Sequence, residues 1–320
     1  MNQLKPRRQQ HRIVMWHIKI KHMRQIISLF ILILMISCKG QVMKKEKYDM
    51  AYKRDRDVYL LNLTDKKEFC IKDGSDPAIS PDGLKVAYTK STKPGTDLIR
   101  YIMLVDLDTK SETKLNIKNN NYYGASWSPD NNFIAFEILI DDIWKVGFIK
   151  SNNSELRIIT PNSGIGLFSP TWSSDSKYIY AHNLTKLFKY DLNCNLIDSI
   201  DIQKTFSENY YISGGTKFLF TSDNNYIIFN CGNNGTDKEM KNDEGQVEAI
   251  YVYNIKTKEI DRLSPIGMLV GYLANESDTS VLFSGFSENE KTDNIYRINL
   301  LTKHLELIIK DGNNPTIRKK

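Results

Sequence analysis

Histidine and cysteine are scarce in this 320-residue chain. Of five histidines, only His182 and His304 lie beyond residue 38, far apart in sequence. Cys70, Cys194 and Cys231 are single and widely spaced, with no C-x-x-C. That pattern gives neither zinc-ligand spacing nor a disulfide framework, and the three thiols read as small buried hydrophobes. Also missing are a G-x-S-x-G elbow, a P-loop and a G-x-G-x-x-G turn. The nearest glycine-rich stretch, Ser163-Gly164-Ile165-Gly166, precedes a predicted strand and not a helix, so it carries no phosphate signal. No cofactor, no metal and no catalytic residue is expected. No segment beyond residue 38 shows a convincing 3.6-residue apolar period, which argues against a helical fold.

The formal charge of +6 comes from one end. Residues 1–37 carry seven Lys/Arg and no acid; the remainder has 37 basic against 38 acidic residues, a net of −1. Nothing there suggests an electrostatic footprint for nucleic acid. The apolar run from Ile26 to Ser37 holds 12 residues. At about 1.5 Å per residue it is too short to span a hydrocarbon core of about 30 Å. A short apolar run after a basic stretch ending at Arg24 has the grammar of a signal peptide, and Met23 is an alternative start.

The tetrapeptide Met35-Ile36-Ser37-Cys38 resembles the bacterial lipobox, with Met where Leu is usual. The resemblance implies cleavage before Cys38 and lipidation of its thiol. The expected organisation is a signal peptide over 1–37, a lipidated tether over 38–46, and one folded domain over 47–320. The expected location is a bacterial cell envelope, the outer membrane included, facing either the periplasm or the surface.

What the chain does have is repetition. A strand, a Ser/Pro/Asp turn and a second strand recur around Ser80-Pro81-Asp82, Ser128-Pro129-Asp130, Ser173-Ser174-Asp175, Thr221-Ser222-Asp223 and, more weakly, Ser277-Asp278. Successive turn aspartates are 48, 45, 48 and 55 residues apart. A strand-rich period of about 40–55 residues signals radial repetition. Second strands share a column: Ala51-Tyr52, Ala87-Tyr88, Ala135-Phe136, Ile179-Tyr180, Ile228-Phe229 and Leu282-Phe283. Third strands share another, from Val58-Tyr59 to Ile295-Tyr296, and fourth strands are expected near 69–72, 114–117, 156–159, 196–200, 259–263 and 305–309. There are six second strands but only five preceding turns. The missing first strand stands at the C-terminus, where Asp311-Gly312-Asn313-Asn314-Pro315-Thr316-Ile317 reads like Asp73-Gly74-Ser75-Asp76-Pro77-Ala78-Ile79. The expectation is an all-β, six-bladed β-propeller of four-stranded antiparallel blades, closed by pairing of the N- and C-terminal strands.

The segments Trp127-Ser128-Pro129-Asp130 with Ile134-Ala135-Phe136, and Ser80-Pro81-Asp82-Gly83 with Val86-Ala87-Tyr88, resemble the TolB-type β-propeller repeat. TolB itself has an α/β domain before its propeller. Here only residues 39–47 separate Cys38 from the first strand, so that domain is expected to be absent.

Asp82, Asp130, Asp175, Asp223 and Asp278 are read as turn residues whose carboxylates accept nearby backbone N–H groups. Ligand contacts are expected from aromatics on the loops before the inner strands: Tyr122, Tyr123, Phe168, Tyr210, Tyr211 and Tyr272, with inter-blade packing as the plainer reading. The longest loops, 201–213 and 231–247, flank the inner strands of one blade. The function expected is non-enzymatic binding of an envelope protein or glycan at the channel mouth. The alternative is a glycan- or peptide-cleaving propeller enzyme using Asp76, Glu208 and Asp311.

Overall fold

Second strands are buried on both faces. Lys85–Thr92, Phe133–Ile140 and Tyr226–Asn233 carry unbroken buried runs instead of alternation. A strand of that kind has to lie between two covering layers. The computed structural model supplies them; it describes residues 46–92, 98–161, 164–236 and 247–318. The expected signal peptide over 1–37, the expected lipidation site Cys38 and the charged segment 237–246 lie outside the described residues.

The described chain forms six antiparallel sheets arranged as a six-bladed propeller. From the axis outward, blade one is Asn313–Ile317, Met50–Arg54, Asp57–Leu61 and Glu68–Ile71. Blade two is Ser75–Ile79, Lys85–Thr92, Ile99–Asp106 and Glu112–Lys114. Blade three is Tyr122–Trp127, Phe133–Ile140, Ile143–Lys150 and Arg157–Ile159. Blade four is Phe168–Trp172, Tyr178–His182, Lys186–Asp191 and Leu196–Asp201. Blade five is built on Tyr226–Asn233, Ala249–Asn254 and Ile260–Arg262; Phe218–Phe220 and, further along, Tyr210–Tyr211 both pair with its long strand. Blade six is Met268–Asn275, Ser280–Ser287, Asn294–Asn299 and Leu305–Ile309.

The ring closes as the terminal segments predict. Met50 lies opposite Ile317 and Ala51 opposite Thr316, so the C-terminal strand is the innermost strand of the blade that opens the domain. Beside this ladder, Arg318 donates from Nε and Nη2 to the buried Asp49 at 2.8 and 2.6 Å.

The core is divided among the seams. Six hydrophobic clusters each join one pair of neighbouring blades, including blade six to blade one through Met50, Tyr52, Leu282 and Ile295. Trp127 Nε1 reaches back to the Ala78 carbonyl (2.8 Å) and Trp172 Nε1 to that of Ser126 (3.0 Å), stitching each inner strand to the blade before it. Asn275 holds the corresponding place in blade six and donates to Phe220 O at 3.5 Å.

Two local expectations are corrected. The fourth strand of blade two is Glu112–Lys114, not 114–117. Leu115 and Ile117 leave the sheet edge because both sink into the seam with blade three. The stretch expected as a structureless loop at 201–213 begins with a one-turn helix, Ile202–Phe206, whose N-cap Asp201 accepts from Lys204 N and whose Ile202 and Phe206 are buried. Among the described residues no helix is long and apolar enough to cross a membrane.

Candidate functional site: a ring of bulges around the channel

In blades two to six the inner strand ends in the turn that leads to the second strand. In four blades this turn is one repeated network. Ser80, Ser128, Ser173 and Thr221 donate their hydroxyls to Asp82, Asp130, Asp175 and Asp223 at 2.6–2.7 Å. Each of those carboxylates accepts the backbone N–H two residues on, at 3.0–3.2 Å. The donors fix these carboxylates in place, and hydrogen bonding holds Asp175 and Asp223 below the usual carboxylate range. Asp278 departs from the pattern: it reaches across the seam and accepts from the amide (2.7 Å) and hydroxyl of Ser222 in blade five.

Four residues before the turn hydroxyl, or its equivalent, stand Asp76, Gly124, Ser169, Lys217, Tyr272 and Asn314, one per blade. Bulges interrupt the register here: between Ser75 and Ala78, Tyr123 and Ser126, Phe168 and Thr171, Val270 and Leu273, and in blade one opposite Ala51–Lys53. Asp76, Gly124, Ser169 and Asn314 take left-handed backbone, with φ of 46, 70, 50 and 49°. A Cβ on Gly124 would meet no atom within 4 Å. Bulges re-aim side chains and leave backbone groups without ladder partners. Here the freed amides find side chains on second strands. Gly124 N donates to Thr89 Oγ1 (3.3 Å), Ser169 N to Glu137 Oε1 (3.0 Å), Lys217 N to Asn230 Oδ1 (2.9 Å) and Tyr272 N to Ser284 Oγ (3.1 Å). Those acceptors share one register: each is the residue after its blade's aromatic column. Lys53, Thr89, Glu137, Asn230 and Ser284 are polar there, and only Ala181 is not. Reading that column one residue further would have revealed them.

Glu137 is the most deeply placed acid of this set. Its Oε2 accepts from the Tyr123 hydroxyl at 3.0 Å while its Oε1 holds the Ser169 amide. Burial pushes its carboxyl up from the ordinary range, opposed by those two donors and by the charges of Lys217 and Arg100. Arg100 lies 3.8 Å over the Tyr123 ring and donates from Nε to Asn121 Oδ1 at 2.8 Å; Trp144 meets Tyr123 edge-on at 5.3 Å. Asp76 accepts from Asn314 Nδ2 (3.0 Å) and from the Ser75 hydroxyl (3.2 Å). The neighbouring Asn313 donates to Asp293 of blade six, whose carboxyl burial pushes up. Thus adjacent asparagines on blade one anchor a carboxylate on each side. Tyr272, 48% exposed, feels both Asp76 and Asp293, and its hydroxyl is raised by burial and then by those charges.

The six aromatics expected at the mouth are placed differently from one another. Tyr122 is fully buried between blades two and three, its hydroxyl donating to Leu115 O at 3.2 Å. Tyr123 and Tyr272 belong to the inner-strand bulges. Phe168 is half-buried beside His182, with ring centres 6.0 Å apart. Tyr210 packs edge-on against Tyr251 at 5.0 Å, and with Tyr211 it pairs with Gly232 and Asn233 at the edge of blade five. Of the three acids, only Asp76 stands in the ring. Glu208 and Asp311 are exposed, and Asp311 accepts from the Thr292 hydroxyl. Among the described residues no group of three or more His, Cys, Asp or Glu is placed to hold a metal.

No known family pattern matches the chain, and no curated protein does. Solved structures do. TolB from Acinetobacter baumannii superposes with a TM-score of 0.61 at 14% identity, over 85% of this chain and 67% of that one. A putative TolB from Agrobacterium tumefaciens gives 0.56 at 12%, over 82% and 89%. A puromycin-hydrolyzing peptidase from Mycobacterium tuberculosis gives 0.55 at 15%, over 81% of this chain but only 42% of that longer one. The chain is a TolB-like propeller in fold. At these identities the likeness extends to the fold alone.

Proposed function

We propose that this protein is a non-enzymatic binding propeller of a bacterial cell envelope, tethered through a lipidated Cys38, that takes an envelope protein or glycan at the channel mouth. The observation that carries this reading is how fully three carboxylates of the mouth and its histidine are held. Glu137 serves an amide and a tyrosine, Asp76 an asparagine and a serine, Asp293 an asparagine. His182 is fully buried and directs Nε2 to the Thr216 carbonyl at 3.0 Å. Groups fixed in this way make a rigid recognition surface, whereas general acid–base chemistry requires a group that reaches the reacting atom and exchanges its proton. Tyr272 is left to offer an apolar face with a polar tip. The TolB-like neighbours support the binding reading; the peptidase neighbour keeps the propeller enzyme as its rival.

The test places a photo-reactive phenylalanine derivative at Tyr272 in the full-length protein within its own envelope, with Leu301, 74% exposed in an outer turn, as the control position. Cross-linked adducts specific to position 272 are expected. Equal adducts at both positions, or none at 272, refute the mouth as the binding site. Release of cleaved sugar or peptide fragments by the purified protein would replace this reading with the enzyme.

A further inference from the structure

On the turn side of the bulge ring lies a pocket of about 140 Å³ to which all six inner strands contribute. Pro81 and Pro129 of the strand-connecting turns are part of its wall, so it opens on the face opposite the mouth loops. Its walls combine apolar side chains, Ile79, Trp127, Trp172, Leu219, Leu273 and Ile317 among them, with about as much polar surface. Among the residues that line it, Lys217 is the one charged group, and no acid is present. Asp76 and Glu137 act on the Lys217 ammonium from the ring side, yet among the described residues none stands within hydrogen-bond or ion-pair distance of it. Lys217 is half-buried, so its ammonium brings an uncompensated positive charge to the pocket, and a monoanion placed beside it would meet that charge.

We propose that this pocket binds a monocarboxylate with a small apolar body, the carboxylate on Lys217 and the body between the two tryptophans. Size sets the body: an engineered cavity of about 150 Å³ accommodates benzene, so one phenyl ring or one branched alkyl group fits. Charge sets the head: a single lysine balances one negative charge, and a dianion such as phosphate would leave the second charge uncompensated. The same chemistry is available as a free small acid or as the C-terminal residue of a polypeptide. The site lies on the opposite face from the mouth and stands without the reading given above.

Trp127 and Trp172 line the pocket, so intrinsic fluorescence of the full chain reports occupancy. Titration with benzoate is expected to change the emission saturably, and neutral benzamide is expected to bind at least about tenfold more weakly, the loss of a hydrogen bond to a charged group. Lys217→Met is expected to remove that preference. Ser126→Leu, which fills the pocket with Lys217 intact, is expected to abolish the response to both probes. Equal binding of benzoate and benzamide, or unchanged benzoate binding in Lys217→Met or in Ser126→Leu, overturns the proposal. A peptide ending in free phenylalanine, compared with its C-terminal amide, separates the sources. Binding of the acid form alone identifies a chain terminus, and binding of benzoate without the peptide identifies a free acid.

Discussion

Lowering the pH should protonate His182 and weaken the fold there. The ring is fully buried between Phe168 and Phe218. Nδ1 accepts the Leu184 amide at 3.3 Å, which puts the proton on Nε2, where it is donated to Thr216 O. Protonating Nδ1 would set two N–H groups against each other in an apolar seam. Burial accordingly lowers the pKa to about 4, against about 6.5 for an unfolded histidine. The folded value is depressed, so between these values the unfolded chain binds more protons. The contribution is complete above pH ~6.5 and is lost progressively as pH falls towards ~4. At about 1.4 kcal/mol per pH unit, the loss at pH 4.5 is about 2.5 kcal/mol, or about 5 °C in Tm for a domain of this size. Thermal unfolding followed by circular dichroism at pH 7.5 and pH 4.5 should show a larger fall for the wild type than for His182→Gln, by about that amount. Glu137, Glu248 and Asp293, whose carboxyls are raised in the fold, titrate with opposite sign but equally in both proteins, so they cancel in the difference. Equal falls in the two proteins would refute the buried neutral imidazole.

Deleting 315–320 removes the pairing of Met50 and Ala51 and strips the buried Asp49 of Arg318; the thermal midpoint should drop by more than about 5 °C, consistent with the several kcal/mol attached to breaking a buried pair. An unchanged midpoint would refute closure by the terminal strand. A double-mutant cycle of Asp278→Ala with Ser222→Ala should show a coupling of at least about 0.5 kcal/mol in denaturant unfolding, while Asp130→Ala with Ser222→Ala should be additive. The reverse pattern would mean that Asp278 serves its own turn like the other four aspartates.

The propeller was readable because its seams impose the same demands six times. Each second strand is covered on both sides, so Ala87-Tyr88 and Ile228-Phe229 write an apolar column that no solvent-facing strand would keep. Each tight turn needs a side-chain acceptor for its loose amides, and Ser128 with Asp130 provides it in two residues. Closure followed from counting strands, since Thr316 and Ile317 could complete blade one only by pairing with Met50 and Ala51. The outermost strands were read less well because little constrains them. Glu112–Lys114 is exposed throughout, and its boundary is set by Leu115 diving into a seam that local sequence does not display.

The ring around the channel was hidden for a different reason. A bulge is one residue of irregularity in a strand of five to eight residues, and it reverses which side chain faces the axis. Alternation alone therefore gave no hint that Lys217 and Tyr272 share a level with Asp76, or that Tyr122 turns inward to the seam while Tyr123 turns to Glu137. Glu137 itself follows Phe136 in a strand that is otherwise core, where a carboxylate would be untenable unless an amide met it. The Ser169 amide is released to do so only because Ser169 adopts φ of 50°. Blade three's acid and blade four's bulge are thus one device split between two repeats. Glu137→Gln should test that unity: the amide oxygen can still accept from Ser169, so the fold should hold within about 1 kcal/mol, whereas Glu137→Leu orphans both Ser169 N and the Tyr123 hydroxyl and should cost about 2–4 kcal/mol in denaturant unfolding. Equal losses from the two substitutions would mean that the carboxylate's charge, and not its acceptor geometry, is what the channel wall requires.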